Sequence, residues 1–463
     1  MYNIKQIVEH MNAVKPESKF SNGTTYNQIA SDWLDLNVLE CLRGLNSQIT
    51  GVDFISFRVM NIREHFRYAY NGKSWFDELS EYFPFYVMMV PGRSISGHSE
   101  LSKVKLIHNR LKLFAHFYKN DFAHTLLKVN PVNEHNVEHT PIDAVNLQRY
   151  IDNTLHTIYH SDKYDKTKLL NYVYQAKSIL DISAAYNGVL PQNYSIKDTG
   201  RKYMSGVNLQ NIKTTVRNAA IGKCYKYDLR TSVFAHMLEV ITTSNIGNKF
   251  NVEASYINEL IKHKNRVRKT IARDSITKTK TDLTVKISLV KQALTALSFG
   301  ATENAIKDVI YLESDREAFF KHELVVGIQD EIQLYREIMK QSYPQAKKQY
   351  GNYLRKNGRS SLNKWCSFAY QKVESQIIDH VKANAIQGDI LLQVHDALYT
   401  KQKQDLHLLN HEASQLSVTC SFEEELVDKV YGIAYNIQHT QQHKQHIALE
   451  ERRATQQGVN NYV

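Results

Sequence analysis

The sequence is poor in the residues that break regular structure. It has 18 glycines and 7 prolines among 463 residues, about 4 % and 1.5 %, against averages of about 7 % and 5 %. Its four cysteines lie far apart and form no CxxC pair, which excludes a disulfide scaffold and argues against a zinc ribbon. These shortages disfavour a collagen-like or turn-dense all-β chain and favour a helix-rich fold.

Long apolar runs are also missing. The longest one, Phe83 to Val90, contains Pro84 and is too short to span a bilayer. The first residues, MYNIKQIVEHMN, contain no signal-peptide core. We therefore expect a soluble, cytoplasmic protein with no membrane partner.

The chain does have a large supply of apolar side chains and an excess of positive charge. Apolar residues make up 42 % and aromatic residues 10 %, which excludes a wholly disordered chain. Lysine and arginine total 58 against 47 aspartates and glutamates, a formal charge of +11. A basic chain suits a polyanion such as nucleic acid, and a basic but unspecialised surface is the alternative.

Helical periodicity covers most of the chain, and two short strand patterns interrupt it. One is 223–227, which ends at Asp228; the other is 390–399, a strand–turn–strand with His395 and Asp396 in the turn. These patterns predict a helix-rich α+β fold.

Asp228 and Asp396 each end or interrupt an apolar strand. A carboxylate there is costly unless a cation or hydrogen bonds compensate it. Two such carboxylates on adjacent strands can hold two Mg²⁺ ions about 3.5–4 Å apart for an in-line phosphoryl displacement. Taken singly, each is more often an ordinary turn aspartate.

Between the aspartates, LVKQALTALSFGA puts Lys291, Thr295 and Phe299 at i, i+4 and i+8, on one helix face. The lysine can bind a triphosphate, the aromatic ring can pack beside a base, and Gly300 lets the backbone approach closely. A plain amphipathic helix with a solvated lysine and a core phenylalanine has the same spacing. The basic run 262–280 would meet template or nucleotide phosphates, or form a solvated face.

Three segments follow one another in the chain: the strand that ends at Asp228, the helix with Lys291 and Phe299, and the hairpin with Asp396. In this order they resemble motifs A, B and C of family A DNA polymerases and single-subunit phage-type RNA polymerases. DTGR at 198–201, NLQNI at 208–212 and VR at 216–217 are similar to the TGR…NLQNIP…(I/V)R segment of bacterial DNA polymerase I relatives. The helix FAYQKVESQIIDHV, with Gln371, resembles the one before motif C. The resemblance covers about 198–400, less than half of the chain.

The resemblance implies a right-hand polymerase with a small antiparallel palm sheet and helical fingers. The implied domains are a helical N-terminal region of unassigned role (1–130), thumb-like helices (131–195), a palm in two parts (196–240 and 356–436), fingers (241–355) and a polar tail (437–463).

The resemblance also implies roles for single residues. Asp228 and Asp396 would hold two Mg²⁺ ions, for which Mn²⁺ can substitute, and Lys291 would act in catalysis on the triphosphate. The residues implied at the nucleotide are Lys291, Thr295, Phe299, Gly300 and Val233. Those implied at the primer, template or product duplex are Arg201, Asn208, Gln210, Arg217, Gln371 and His395.

The chain departs from the family at several positions. Val233 stands where family A DNA polymerases carry a Glu that helps to exclude a 2′-hydroxyl, and Ser232 and His236 match a Ser and a His of the RNA polymerases. Ile287 replaces the usual basic residue of motif B, and Ala397 replaces the acid after HD. No DxE-type exonuclease motif is evident near the N-terminus.

We therefore predict a template-directed DNA polymerase, family A-like, that acts by two-metal-ion nucleotidyl transfer in plasmid or phage replication. Its partners would be a DNA template, a primer and nucleoside triphosphates. A primase or small RNA polymerase on the same palm is one alternative. An inactive polymerase-like protein that binds nucleic acid is the other.

Overall fold

The fold is helix-rich α+β with small antiparallel sheets, which confirms the predicted fold class; the right-hand arrangement stays a prediction. A computed structural model describes residues 2–15, 25–43, 54–57, 66, 68–70, 73–90, 94–95, 98–99, 102–106, 110–120, 122–132, 135–161, 165–244, 254–356 and 359–428. The predicted polar tail lies outside the described residues. None of the described helices is long and apolar enough to cross a membrane.

The chain divides into two compact units. The first comprises Met1–Ser195, Met204–Lys223 and Val427–Val463, and the second Ile196–Tyr203 and Cys224–Leu426. The finer six-part division implied by the resemblance stays a prediction.

The helices of the first unit are α1 (Ile4–Val14), α2 (Tyr26–Arg43), α3 (Trp75–Tyr82), α4 (Arg110–Lys119), α5 (Ala123–Val129), α6 (Ala144–His160), α7 (Lys166–Ala185) and α8 (Thr214–Ile221). Two aspartates fix the starts of α6 and α7: Asp143 accepts from Asn146 N, and Asp165 accepts from Thr167 N. Such caps satisfy backbone donors that the first helical turn leaves unpaired.

The N-terminal region contains strands as well as the predicted helices. The strands up to residue 204 are β1 (Phe54–Phe57), β2 (Ala69–Tyr70), β3 (Lys73–Ser74), β4 (Tyr86–Val90), β5 (Ser94–Ile95), β6 (His98–Ser99), β7 (Ser102–Leu106), β8 (Val137–Pro141), β9 (Val189–Ile196) and β10 (Lys202–Met204). The order β1-β7-β4 forms one sheet. These strands add to the helices expected in 1–130, because periodicity in short apolar runs does not separate strand from helix.

The helices of the second unit are α9 (Ser232–Thr243), α10 (Ser255–Lys262), α11 (Lys264–Ser275), α12 (Leu283–Ser298), α13 (Glu313–Lys321), α14 (Glu323–Leu354), α15 (Leu362–Asn384) and α16 (Leu406–Ser414). Its strands are β11 (Cys224–Leu229), β12 (Arg355–Lys356), β13 (Arg359–Ser360), β14 (Ile390–Val394), β15 (Ala397–Thr400) and β16 (Phe422–Val427).

A four-stranded sheet in the order β14-β15-β11-β16 organises the second unit. β15 is antiparallel to both β14 and β11. Tyr227 and Leu398 of the sheet share a buried core with Ile377 of α15 and Leu409 of α16. This core fixes the sheet against the helices and holds the ends of β11 and β15 in register.

Helices α9 to α15, of which α15 also belongs to the first core, contribute to a second core. Ile271, Leu294, Phe319 and Ile328 lie at its centre, each almost fully buried. The loop between α11 and α12 is tied to α13 by Asp315, which accepts hydrogen bonds from the backbone N–H groups of 277–279 at 2.8–3.1 Å. The two helices α11 and α12 also pack against each other.

All four cysteines are buried and free. This agrees with the exclusion of a disulfide scaffold. Burial raises the pKa of each thiol, that of Cys224 to about 12 and those of Cys366 and Cys420 to about 11.

Candidate active site

The two predicted metal-binding aspartates lie on neighbouring strands. Asp228, near the end of β11, pairs with Ala397, the residue after Asp396. The N–H of Leu229 donates to the carbonyl of Asp396 at 3.2 Å. Because adjacent strands are about 5 Å apart, pairing brings together two residues far apart in sequence. Both line one cavity of about 230 Å³.

Tight turns present both aspartates. Val394 pairs with Ala397, so His395 and Asp396 form a two-residue hairpin loop, and His395 has φ +52°, as the favoured hairpin turns require. After Asp228 the chain reverses at Thr231, whose φ is +45°. Left-handed backbone is uncommon for a β-branched residue and is typical of functional sites. The reversal starts α9 and brings Ser232 and Val233 to the cavity wall.

Helix α12 supplies another part of the cavity lining. Lys291, Thr295 and Phe299 all line the cavity, on the single helix face that the sequence predicted. Lys291 is exposed, and Thr295 Oγ1 donates to its carbonyl at 2.8 Å. Phe299 is 39 % exposed, which disagrees with the alternative of a core phenylalanine. Its ring centroid is 6.2 Å from that of Tyr370.

Gly300 does not line the cavity. It has φ +82° and ends α12, with its N–H donating to the carbonyl of Leu297 at 2.8 Å. A Cβ at this position would lie 2.5 Å from Asn363 Nδ2. The need for glycine here therefore comes from the helix end and the close approach of Asn363.

A chain of hydrogen bonds supports Asp396 from behind. Ser232 Oγ lies 3.1 Å from Asp396 Oδ2 and 3.0 Å from the hydroxyl of Tyr370. Tyr370 donates in turn to Glu374, and Arg201 Nε donates to the same carboxylate at 3.0 Å. With both carboxyl groups ionised, two hydroxyl protons would have to serve three oxygen–oxygen contacts. A proton on one carboxyl group completes the chain.

The pKa shifts of the two carboxyl groups agree with the presence of such a proton. Burial, together with the nearby Glu374 and Asp228, raises the pKa of Asp396 to about 7. Burial also raises the pKa of Glu374, although Arg201 opposes the shift. Asp228 differs, because its side chain is 42 % exposed and bonded at 3.0 Å to Lys226 Nζ. The two aspartates therefore occupy unlike environments within one cavity.

The donor set suits a hard divalent cation. Within the described residues no group of three or more His, Cys, Asp or Glu could hold a metal, and no cation pairs with the partly buried Asp396. Mg²⁺ binds through one or two carboxylates, with waters and substrate phosphates as its other ligands. A partly buried carboxyl group without a cationic partner, beside the second carboxylate of Asp228, fits such an ion, which would favour its ionised form.

Basic side chains from α11 and the β11–α9 turn complete the wall. They are Lys264, Arg268 and Arg230. Lys264 Nζ lies 2.6 Å from Glu423 Oε1, and Arg230 Nε lies 3.1 Å from the same oxygen. The basic run 262–280 therefore contributes two side chains to the cavity.

Three of the residues implied at nucleic acid lie in the second unit but do not line the cavity. Arg201 is held by Glu374, and Gln371 Nε2 donates to Ser367 Oγ at 3.3 Å. The ring of His395 lies 6.2 Å from that of Tyr203. Contact of these three with nucleic acid stays a prediction.

The other three, from the NLQNI segment and α8, are buried in the first unit. Arg217 donates to the carbonyls of Leu209 and Gln210 at 2.6 and 2.9 Å. Gln210 Oε1 accepts from Met204 N, and Asn208 Oδ1 accepts from Asn211 N. These bonds fix the loop that carries them. Their contact with nucleic acid also stays a prediction.

Sequence reasoning missed Tyr370, Glu374 and Glu423, and it included Arg268 only as one member of the basic run 262–280. The i, i+4 spacing of Tyr370 and Glu374, beside the predicted Gln371, was one available signal. The burial of Glu374 and the partner of Glu423 depend on residues distant in sequence, so neither could be read locally.

The comparisons with known proteins give structural likenesses, among them a distant one. Among solved structures, the chain is similar to the POL domain of Pol1 from M. smegmatis in complex with DNA primer-template and dNTP. The two share 13 % sequence identity at a TM-score of 0.38, over 87 % of this chain and 68 % of that chain. No family model matches the chain, and no curated protein does. The function has to be argued from the residues of the site.

Proposed function

We propose that this chain is a template-directed nucleotidyltransferase that extends a primer on a DNA template. One observation carries the proposal: Asp228, Asp396, Lys291 and Phe299, from three separate segments, line one cavity. These residue types suit a metal pair, a triphosphate and a base. Their order along the chain also resembles motifs A, B and C of the family A polymerases.

The chemistry follows from these groups. The primer 3′-hydroxyl oxygen forms a bond to the α-phosphorus while the bond to the pyrophosphate oxygen breaks. Mg²⁺ ions held by Asp228 and Asp396 would acidify the hydroxyl and stabilise the leaving oxygen. The Lys291 ammonium offsets the charge that develops on pyrophosphate. Phe299 packs beside the incoming base, and pairing with the template selects the nucleotide.

A primer-extension assay tests the proposal. The purified protein is given a primed or unprimed DNA template, Mg²⁺, and either dNTPs or rNTPs. Extension of the primer with dNTPs supports the proposal. Duplex binding without product in any arm contradicts it and supports the inactive alternative.

Aspartate variants test the assignment of the metal ligands. Asp228→Asn and Asp396→Asn should each lower the extension rate about 10³-fold, equivalent to roughly 4 kcal/mol of lost transition-state stabilisation. DNA binding, followed by fluorescence anisotropy, should change little. Asp389→Asn, at an exposed position outside the cavity, is the matched control. Undiminished extension by either site variant would remove the assignment.

The primase or RNA polymerase alternative has its own supporting observation. Val233, and not a glutamate, lines the cavity at the position implied beside the sugar. No carboxylate at that position opposes a 2′-hydroxyl. Product from rNTPs on an unprimed template would favour this alternative over the DNA polymerase.

A further inference from the structure

Arg268 lies on α11, and its buried Nε forms no hydrogen bond within the described part of the chain. Within the described residues its guanidinium takes part in no ion pair. Burial lowers its pKa, and the charge of Glu423 opposes that shift. A desolvated guanidinium without an acceptor is unfavourable, so the fold maintains an arrangement that a ligand would relieve.

The neighbouring cations differ in this respect. Lys264 and Arg230 line the same cavity, but both pair with Glu423. Arg268 and Lys291 have no such partner among the described residues. They lie on α11 and α12, two helices that pack against each other. The cavity that the two aspartates line is therefore also lined by two cations that form no ion pair within the described residues.

Because position 287 is an isoleucine, α12 supplies one basic residue to the cavity, and α11 supplies others. Ile287 stands where motif B usually has a basic residue, and it packs against the helical core instead. Lys286, one residue away, does not line the cavity. Of the basic residues on α12, Lys291 alone lines it.

We infer that Arg268 binds the β- and γ-phosphates of the incoming nucleoside triphosphate, in place of the basic residue that α12 lacks. The inference rests on the proposed function. A guanidinium presents a planar fork of donors that matches two phosphate oxygens. Because its Nε is already desolvated, Arg268 gains more from such an acceptor than the exposed Lys291 does.

Direct nucleotide binding tests the inference. The full chain is titrated, with Mg²⁺ and primed template, with an α,β-imido deoxynucleoside triphosphate, which cannot be incorporated, and with the matching monophosphate. Arg268→Met should weaken triphosphate binding at least about tenfold, a loss of roughly 1.4 kcal/mol, and leave monophosphate binding unchanged. Arg268→Lys should lower the affinity for the triphosphate by a smaller factor. Arg336→Met, on α14 outside the cavity, is the control.

Thermal melting separates binding from a structural role. Removing a guanidinium that forms no ion pair within the described residues should leave the melting temperature unchanged or raise it. A clear fall in melting temperature with equal losses for both nucleotides would overturn the inference. So would a triphosphate affinity that Arg268→Met leaves intact, or the absence of triphosphate binding by the unmodified protein.

The outcomes also separate this inference from the proposed function. A chain that binds the triphosphate through Arg268 but makes no product keeps the inference and loses the proposed function. A chain that extends primers with the same KM for dNTP in the Arg268→Met variant keeps the function and loses the inference.

Discussion

Single side chains at the cavity are held in different ways. Asp396 is fixed by Ser232, and Ser232 in turn contacts Tyr370. Phe299 and Lys291 extend from their helix face, and both are exposed. The site thus combines a hydrogen-bonded carboxyl group with exposed side chains that can adjust to a ligand, which suits the proposed reaction, in which four different bases must be admitted.

Val233 provides a test of sugar selection. It is 9 % exposed and its branched side chain lines the cavity. If it occludes a 2′-hydroxyl, Val233→Ala should raise the rNTP-to-dNTP ratio of kcat/KM about tenfold, equivalent to roughly 1.4 kcal/mol. Val233→Glu should shift the ratio toward dNTPs. Val240→Ala, elsewhere on α9, is the control. An unchanged ratio in both site variants would show that another residue governs the sugar.

Gly300 provides a test of backbone strain. Gly300→Ala places a Cβ at φ +82° and against Asn363, so we expect a loss of roughly 2 kcal/mol in the free energy of unfolding. Gly351→Ala is the matched control, because nothing lies within 4 Å of its Cβ. Alanine there should be neutral or stabilise by up to about 1 kcal/mol. Urea unfolding measures both, and equal stability of the two variants would contradict the strain.

At the scale of the element, Asp315 holds the loop between α11 and α12. Three backbone donors and Thr279 Oγ1 bond to its carboxylate. Asp315→Ala leaves these donors without an acceptor. It should lower the free energy of unfolding by roughly 3 kcal/mol, as measured by urea unfolding. Asp308→Ala, at an exposed position, should cost little. Since the loop joins the helices of Arg268 and Lys291, Asp315→Ala should also weaken triphosphate binding.

The pKa of Asp315 should also make the stability of the protein depend on pH. Burial raises the pKa of Asp315, but hydrogen bonds from Thr279 and the backbone outweigh burial and lower it below its ordinary value. The stabilisation that the ionised Asp315 adds to the free energy of unfolding is therefore fully present above the unfolded-state pKa of about 3.9. It is lost as pH falls through the folded-state pKa. The stability gap between the wild type and Asp315→Asn should narrow below about pH 4. A gap of constant size would contradict the lowered pKa.

Elements with a strong local signal were predictable. The strand pattern at 223–227 corresponds to β11, and the hairpin at 390–399 corresponds to β14 and β15. β16 was not predicted: its burial does not alternate, because Phe422 and Val427 are buried at its ends, with three glutamates and Leu426 between them. Its place beside β11 depends on pairing across nearly 200 residues, which no local pattern encodes.

At the scale of the whole molecule, the net charge of +11 predicts how nucleic-acid binding responds to salt. Each phosphate that a protein neutralises adds about 0.9 to the slope of log affinity against log salt. The affinity for duplex DNA should therefore fall at least tenfold between about 50 and 200 mM salt. Two duplexes of unrelated sequence should bind alike. A salt-independent affinity would mean that the basic surface does not meet phosphates.

The division into units was beyond the reach of the sequence. Residues 196–203 belong to the second unit and 204–223 to the first, although the sequence treats 196–240 as one palm segment. The order of the motifs identified residues that line the cavity, because each motif contains the residue types that the proposed chemistry needs. It could not assign the TGR and NLQNI segments to different units, since that depends on which distant side chains each one contacts.

The buried thiols have a practical consequence. Maleimide dyes react with the thiolate, and every native cysteine here is both shielded and hard to ionise. A cysteine introduced at the exposed Lys307 should thus take up a fluorophore far faster than the native four, with no need for a cysteine-free background. Such a labelled chain would allow single-molecule observation of nucleotide capture.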